Sequence, residues 1–209
     1  MTRATTPALL VIDVQNDFIP GGSLAVPGGD EIVPLINRLG RSFNQVVLAQ
    51  DWHPAGHASF ASSHPGKQPF DTTQLPYGEQ TLWPDHCIQG SQGAALHPAL
   101  DLPHAQLIIR KGCNPDIDSY SAFMEADRQT STGLAGYLKE RGIDTVYVVG
   151  LAMDFCVMFT ALDARIAGFK TIVVLDACRG IDIEGSMETA IRRMQTAGVE
   201  LIQSTAMTA

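Results

Sequence analysis

The chain has 209 residues, 45% of them apolar and 17% charged, which suits one globular domain with a sizeable core. Its net charge of −8 argues against nucleic acid and anionic membranes as partners, since both recruit clustered Lys and Arg. The opening MTRATTPALLVIDVQ has one Arg and no long apolar run, so neither a secretory signal nor a membrane span is expected there.

In chain order, Leu9–Val14 (LLVIDV) reads as a buried strand with one carboxylate, Asp13, near its end. Asp30 can cap a helix carrying Ile32, Val33, Leu35, Ile36 and Leu39, and Val46–Gln50 is the next strand. Residues 51–105 then show few strand or helix signals and are rich in Pro, Gly, Ser and His. Loops this long are usually functional or disordered. This one holds Trp52, Phe60, Phe70, Trp83 and all six histidines, and disorder disfavours aromatics, so it reads as an ordered functional loop.

Further strands follow at Gln106–Arg110, Thr145–Val149, Thr171–Leu175 and Val199–Gln203. The helices between them run from Thr132 to Arg141, from near Asp154 to Gly168, and from Gly185 to Ala197. Alternating strands and helices with near-continuous apolar strands predict one α/β domain over residues 1–209. Its sheet has about six strands, mostly parallel, with helices on both faces.

In such sheets, ligands bind outside the carboxyl ends of the strands. Four consecutive strands deliver Asp13, the pair Asp51 and His53, Lys111, and Cys156 to that edge. The four cysteines (Cys87, Cys113, Cys156 and Cys178) are far apart and form no disulfide framework, which fits a reducing cytoplasm. Free cysteine is commonly just buried, and Cys87, Cys113 and Cys178 read that way. Cys156 has a second reading. With Asp154 as N-cap it stands at the second helical position, where the dipole and free N–H groups favour a thiolate and can hold an oxyanion.

Asp13 and Lys111 are a structural ion pair or a working one. In the working reading Asp13 is the general base and then acid, while Lys111 holds it and stabilises the thiolate. Asp51 and His53, two apart, share one side of a strand end, and His86 in WPDHC can supply a third ligand, as a catalytic divalent metal requires. Without the other histidines that pair would be a solvated turn. His57 is either a fourth ligand or a second-layer hydrogen-bond partner. His64, His97 and His104 read as surface residues.

The segments DVQNDFIPGGSLAVPGGDEI, QDWHPAGHASF, TLWPDHCIQGSQGA, RKGCNPDIDSYSAF and VVGLAMDFCVMFTALDA together resemble the nicotinamidases of the isochorismatase-like hydrolase superfamily, over nearly the whole chain. The resemblance implies a Rossmann-like three-layer α/β sandwich. It also implies hydrolysis of nicotinamide to nicotinate and ammonia in NAD salvage, with pyrazinamide as a further substrate. It puts the catalytic triad on Asp13, Lys111 and Cys156, and the metal ligands on Asp51, His53 and His86. The metal is one divalent ion, with zinc the first choice and iron or manganese the alternatives. It would bind the ring nitrogen and orient the carboxamide over Cys156.

By the same resemblance, a cis peptide joins Leu151 to Ala152, and the Ala152 and Cys156 N–H groups form the oxyanion hole. Phe18 and Trp83, with Tyr120 nearby, form the ring pocket; core packing is the plain reading of these aromatics. Phe155 stands where some relatives have His. The implied partner is a small amide, and monomer and homo-oligomer stay equally open. Among rivals, another amidase or carbamoyl hydrolase would usually lack the metal set, and isochorismatase-type vinyl-ether hydrolysis does not use the cysteine. A dinucleotide-binding domain would need a Gly-rich turn where this chain has VQNDF.

Overall fold

A computed structural model describes residues 6–207. The first five residues of the opening stretch read above lie outside the described residues. Among the described residues, eight strands and four α-helices follow one another. They are β1 (Pro7–Ile12), α1 (Val33–Gly40), β2 (Val46–Asp51), β3 (Thr72–Leu75), β4 (Gly78–Thr81), β5 (Leu107–Lys111), α2 (Leu134–Glu140), β6 (Thr145–Gly150), α3 (Met158–Ile166), β7 (Lys170–Cys178), α4 (Ser186–Thr196) and β8 (Glu200–Ile202).

Six strands form one sheet in the order β5-β2-β1-β6-β7-β8, and every neighbouring pair is parallel. The six expected strands are all present, each within a few residues of its expected limits. From β1 the chain steps outward to β2 and β5, then returns to the other side of β1 to lay down β6, β7 and β8. The direction of winding therefore reverses between β1 and β6, and a crevice opens at such a switch point. Asp13 follows β1 directly and Cys156 lies just beyond β6, so the topology alone brings them to that crevice.

The period of two along the strands splits the core into two layers. Ala8, Leu10 and Ile12 of β1 face α2, α3 and α4, meeting Leu134, Leu138, Met158, Ala161, Ala190 and Met194. Leu9 and Val11 face the other way, onto Ile36 of α1 and onto Leu24, Val26, Trp83, Cys87 and Leu102 from the loops. Helices thus cover both faces, and part of the long loop serves as core on the α1 side. Among the described residues, no helix is long and apolar enough to cross a membrane.

Three expectations need correction. Asp30 caps nothing through its side chain: it lies inside a 3-10 turn, Gly29–Ile32, that leads into α1. The long loop is not free of strands, because β3 and β4 pair antiparallel as a hairpin. Its sequence, TTQLPYGEQT, is polar on both faces and so shows no apolar alternation. The helix after β6 begins at Met153 as a five-residue π turn with Ala152 as N-cap, so Cys156 is the fourth helical residue and not the second.

Gly150 ends β6 with φ +119°, and a Cβ there would lie 2.1 Å from the Ile12 carbonyl oxygen. Neither the dihedral nor the gap suits a side chain. Gly150→Ala is expected to destabilise the fold by about 3 kcal/mol, lowering Tm by roughly 6–12 °C in thermal unfolding. A shift under 2 °C would show that the strand end can move aside.

Candidate active site

The crevice holds a small cavity lined by Phe18, Leu24, Asp51, His53, Trp83, His86, Asp118, Tyr120, Ala152, Phe155, Cys156 and Ile181. Asp13 and Lys111 are buried behind it.

Lys111 is the hub. Its Nζ lies 2.8 Å from Asp13 Oδ2, as an ion pair that is close but off the hydrogen-bond direction. It donates to Asp51 Oδ1, to the Ser119 carbonyl at 3.1 Å and to Cys156 Sγ at 3.5 Å. A buried ammonium survives only with such compensation. Two carboxylates and a carbonyl hold it, and its pKa is raised well above the usual lysine value despite burial.

The charges settle unequally. Burial pushes the Asp13 carboxyl up to about 7, against the pull of Lys111, and the nearby Asp51 adds to the rise. Burial also acts on Asp51, but Lys111 and His53 outweigh it and hold that carboxyl well below the usual range. Burial drives the Cys156 thiol well up, Lys111 opposes, and the two aspartates reinforce burial. The expected helix-dipole thiolate is therefore corrected. At the fourth helical position, buried beside two carboxylates, Cys156 keeps its proton until a base removes it. Asp13 is the neighbour placed to do so.

Asp51 also faces two imidazoles. His53 Nδ1–H donates to the Gly112 carbonyl at 3.0 Å, and His86 Nδ1–H to the Pro84 carbonyl at 2.8 Å. A carbonyl only accepts, so each ring carries a proton on Nδ1 and turns its Nε2 toward Asp51. Those Nε2 atoms lie 3.7 and 3.8 Å from Asp51 Oδ2. That is too long for hydrogen bonds, yet the three residues offer donor atoms within 4.8 Å of one another. One anionic oxygen and two oriented imidazole nitrogens, each ring fixed by a carbonyl behind it, suit a divalent transition metal.

His57 stands beside this trio, its ring 4.4 Å from that of His53, with Nδ1 on Ser59 Oγ at 2.7 Å and Nε2 on the Ile117 carbonyl at 3.3 Å. Both of its nitrogens are thus engaged with protein groups. His64 and His97 are half-buried and His104 is exposed, and none of the three lines the cavity.

Leu151–Ala152 is a cis peptide, as the resemblance implied, and Ala152 lines the cavity with Cys156. Phe18 meets the edge of His86 at 5.5 Å between ring centres. Trp83 donates its Nε1–H to Tyr120 Oη at 3.0 Å and stands perpendicular to Phe155 at 4.9 Å. Reading the sequence missed several of these neighbours. Leu24, Ile181 and Asp118 line the cavity without any local pattern to mark them. Gln80 of β4 is buried and donates to Asp118 Oδ2 at 2.8 Å and to Tyr120 Oη at 3.1 Å. Gln15, two residues past Asp13, clamps the Asp51 main chain with both ends of its amide, each at 2.8 Å.

Known proteins are similar to this chain in sequence and fold. Residues 7–206 match the family model described as the isochorismatase domain. The chain is 65% identical over 204 residues to a nicotinamidase of Acinetobacter baylyi, covering 98% of this chain and 95% of that one. A solved nicotinamidase/pyrazinamidase of Acinetobacter baumanii superposes with a TM-score of 0.97 at 62% identity, covering 99% of this chain and all of the other. A pyrazinamidase of Pyrococcus horikoshii, solved in complex with zinc, superposes with a TM-score of 0.78 at 37% identity, covering 95% of this chain and 99% of the other.

Proposed function

The chain belongs to the isochorismatase family, and from that premise we propose that it hydrolyses nicotinamide to nicotinate and ammonia through a thioester on Cys156. Pyrazinamide is a second substrate. One observation carries this reading: a base, a cation and a thiol converge on the same small aromatic-walled cavity as an Asp–His–His donor set. The zinc-bearing pyrazinamidase and the Acinetobacter relatives support it.

The aromatic walls, Phe18, Trp83 and Tyr120, receive the flat ring and exclude water around it. Asp13 takes the proton of Cys156 Sγ, and the sulfur attacks the carboxamide carbon. The N–H groups of Ala152 and Cys156 hold the charge that develops on oxygen. Asp13 returns its proton to the amide nitrogen, which leaves as ammonia, and the acyl group stays on Sγ. Asp13 then takes a proton from water as that water attacks the thioester. Nicotinate departs and the proton returns to Sγ. Throughout, Lys111 keeps Asp13 in place. Asp51, His53 and His86 would hold a divalent metal, zinc before iron or manganese, which would supply Lewis-acid chemistry to the ring. His57 packs its ring against that of His53. The four free cysteines support a reducing, cytoplasmic setting.

Ammonia release from nicotinamide, with and without a chelator, tests the reading. The enzyme is expected to turn over nicotinamide, to lose at least about tenfold in rate on metal removal and to regain it with zinc. Turnover of an unrelated amide but none of nicotinamide would defeat the substrate assignment. Full activity of metal-free protein would defeat the metal's role.

A further inference from the structure

Asp154 was expected to cap its own helix and does not. Its carboxylate faces a neighbouring strap, residues 179–186, that follows β7. Asp154 Oδ1 accepts from the Ile181 N–H at 3.0 Å, and Oδ2 accepts from the Asp182 N–H at 2.8 Å and from the Ser186 hydroxyl at 2.5 Å. A fourth bond joins the same pieces, from the Met153 N–H to the Arg179 carbonyl at 2.8 Å. Asp154 is buried, whereas Asp182, Glu184 and Gly185 of the strap are exposed. Ile181 and Ile183 of this stretch pack inward against the core, and Ile181 lines the substrate cavity.

Besides Asp154, the strap is held by an exposed Arg179–Glu31 pair at 3.1 Å and by a short turn in which the Met187 N–H donates to Asp182 Oδ1 at 3.3 Å. Asp182 and Glu184 sit at φ +57° and +50°, a left-handed region that side chains adopt at a cost. Gly180 packs so close that a Cβ would lie 2.9 Å from Asp154 Oδ1 and 2.1 Å from Met187 Sδ. A charged acceptor that takes three hydrogen bonds is strong enough to keep such a segment down.

We propose that Asp154 is a positioning residue for substrate binding, resting on the nicotinamide reading above: it ties the strap to the turn that carries Cys156 and so sets the Ile181 wall against the ring. Asp154 and Cys156 share one helical turn, so the wall is held in register with the sulfur. Loosening the strap moves the wall but leaves Asp13, Lys111 and the thiol where they are. The effect therefore falls on ring binding and not on the chemical step.

Two variants test this, Asp154→Ala and Gly180→Ala. The first removes the acceptor. The second removes no hydrogen-bonding group and displaces the strap with one methyl, so it decides the matter alone if the first fails to fold. In each folded variant KM for nicotinamide is expected to rise about tenfold with kcat within about threefold. Trypsin cleavage after Arg179, followed by mass spectrometry, is expected to quicken at least about tenfold, because it reports opening of the strap. An unchanged KM in folded variants overturns the proposal, whether or not cleavage quickens, and so does an equal fall in kcat and kcat/KM. If the parent enzyme released no ammonia from nicotinamide, the functional reading would fail. The tethering role of Asp154 would then be judged by cleavage alone, and parent-like cleavage would overturn it.

Discussion

Replacing Cys156 by alanine is expected to lower kcat for ammonia release on the order of 10^4- to 10^6-fold, with nicotinamide binding held within about threefold. Neither Lys111 nor Asp13 can take over. Lys111 is a fully committed cation, bound by Asp13, Asp51 and the Ser119 carbonyl. Asp13 lies behind the sulfur and not on the cavity wall. The variant deletes one buried atom and leaves the bonds from Met153 to Arg179 and from Val157 to Ala152 intact, so the turn persists. Serine at 156 is expected to fare little better. A base near 7 can take a proton from a thiol that burial has raised, but an alkanol holds its proton far more tightly. Ammonia release and calorimetric binding measured on the same preparation check both claims. Residual turnover above about 1% of the parent rate would mean that acyl transfer to sulfur is not the route.

Much of this site was legible because each part sits at a strand end. The six strands are marked by runs such as LLVID and TVYVV, whose buried faces leave no polar alternation to confuse. Once they are placed, parallel order forces Asp13, Asp51, His53, Lys111 and Cys156 onto one edge. Contacts between segments distant in the chain were not legible. Asp154 looks like an N-cap in MDFC, but whether a carboxylate serves its own helix or the N–H groups of residues 181 and 182 depends on packing. The hairpin β3–β4 escaped because its exposed, polar residues carry no periodic signal, and Gln80 went unnoticed with it. Lys111 was matched with Asp13 but not with Asp51. That second bond needs β2 and β5 to be neighbours in register, with Asp51 opposite Lys111. It also explains why Asp51 stays ionised in a dry site: one oxygen rests on the ammonium and the other faces the imidazoles.

Asp13→Asn separates proton transfer from packing more cleanly than any other change at this site. Asp13 sits at φ +51°, and asparagine is among the few residues that tolerate the left-handed region, so the backbone accepts the substitution. The side chains match in shape, and Lys111 keeps Asp51 and the Ser119 carbonyl. What disappears is the group that takes the thiol proton, shuttles it to the leaving nitrogen and later activates water. General acid–base catalysis is worth about 10^2- to 10^4-fold, and here one residue serves both half-reactions, so kcat is expected to fall near the upper end, roughly 10^3- to 10^4-fold. The parent's kcat/KM is expected to fall on acidification through about pH 7, where Asp13 takes up a proton and can no longer accept one from sulfur. That acid limb belongs to Asp13 and should vanish from the residual activity of the variant. Alkylation of Cys156 by iodoacetamide near neutral pH should slow in parallel, since the thiol has lost its base. Slow turnover with undiminished alkylation would mean that Asp13 works only on the leaving group and water, and that Lys111 alone prepares the sulfur.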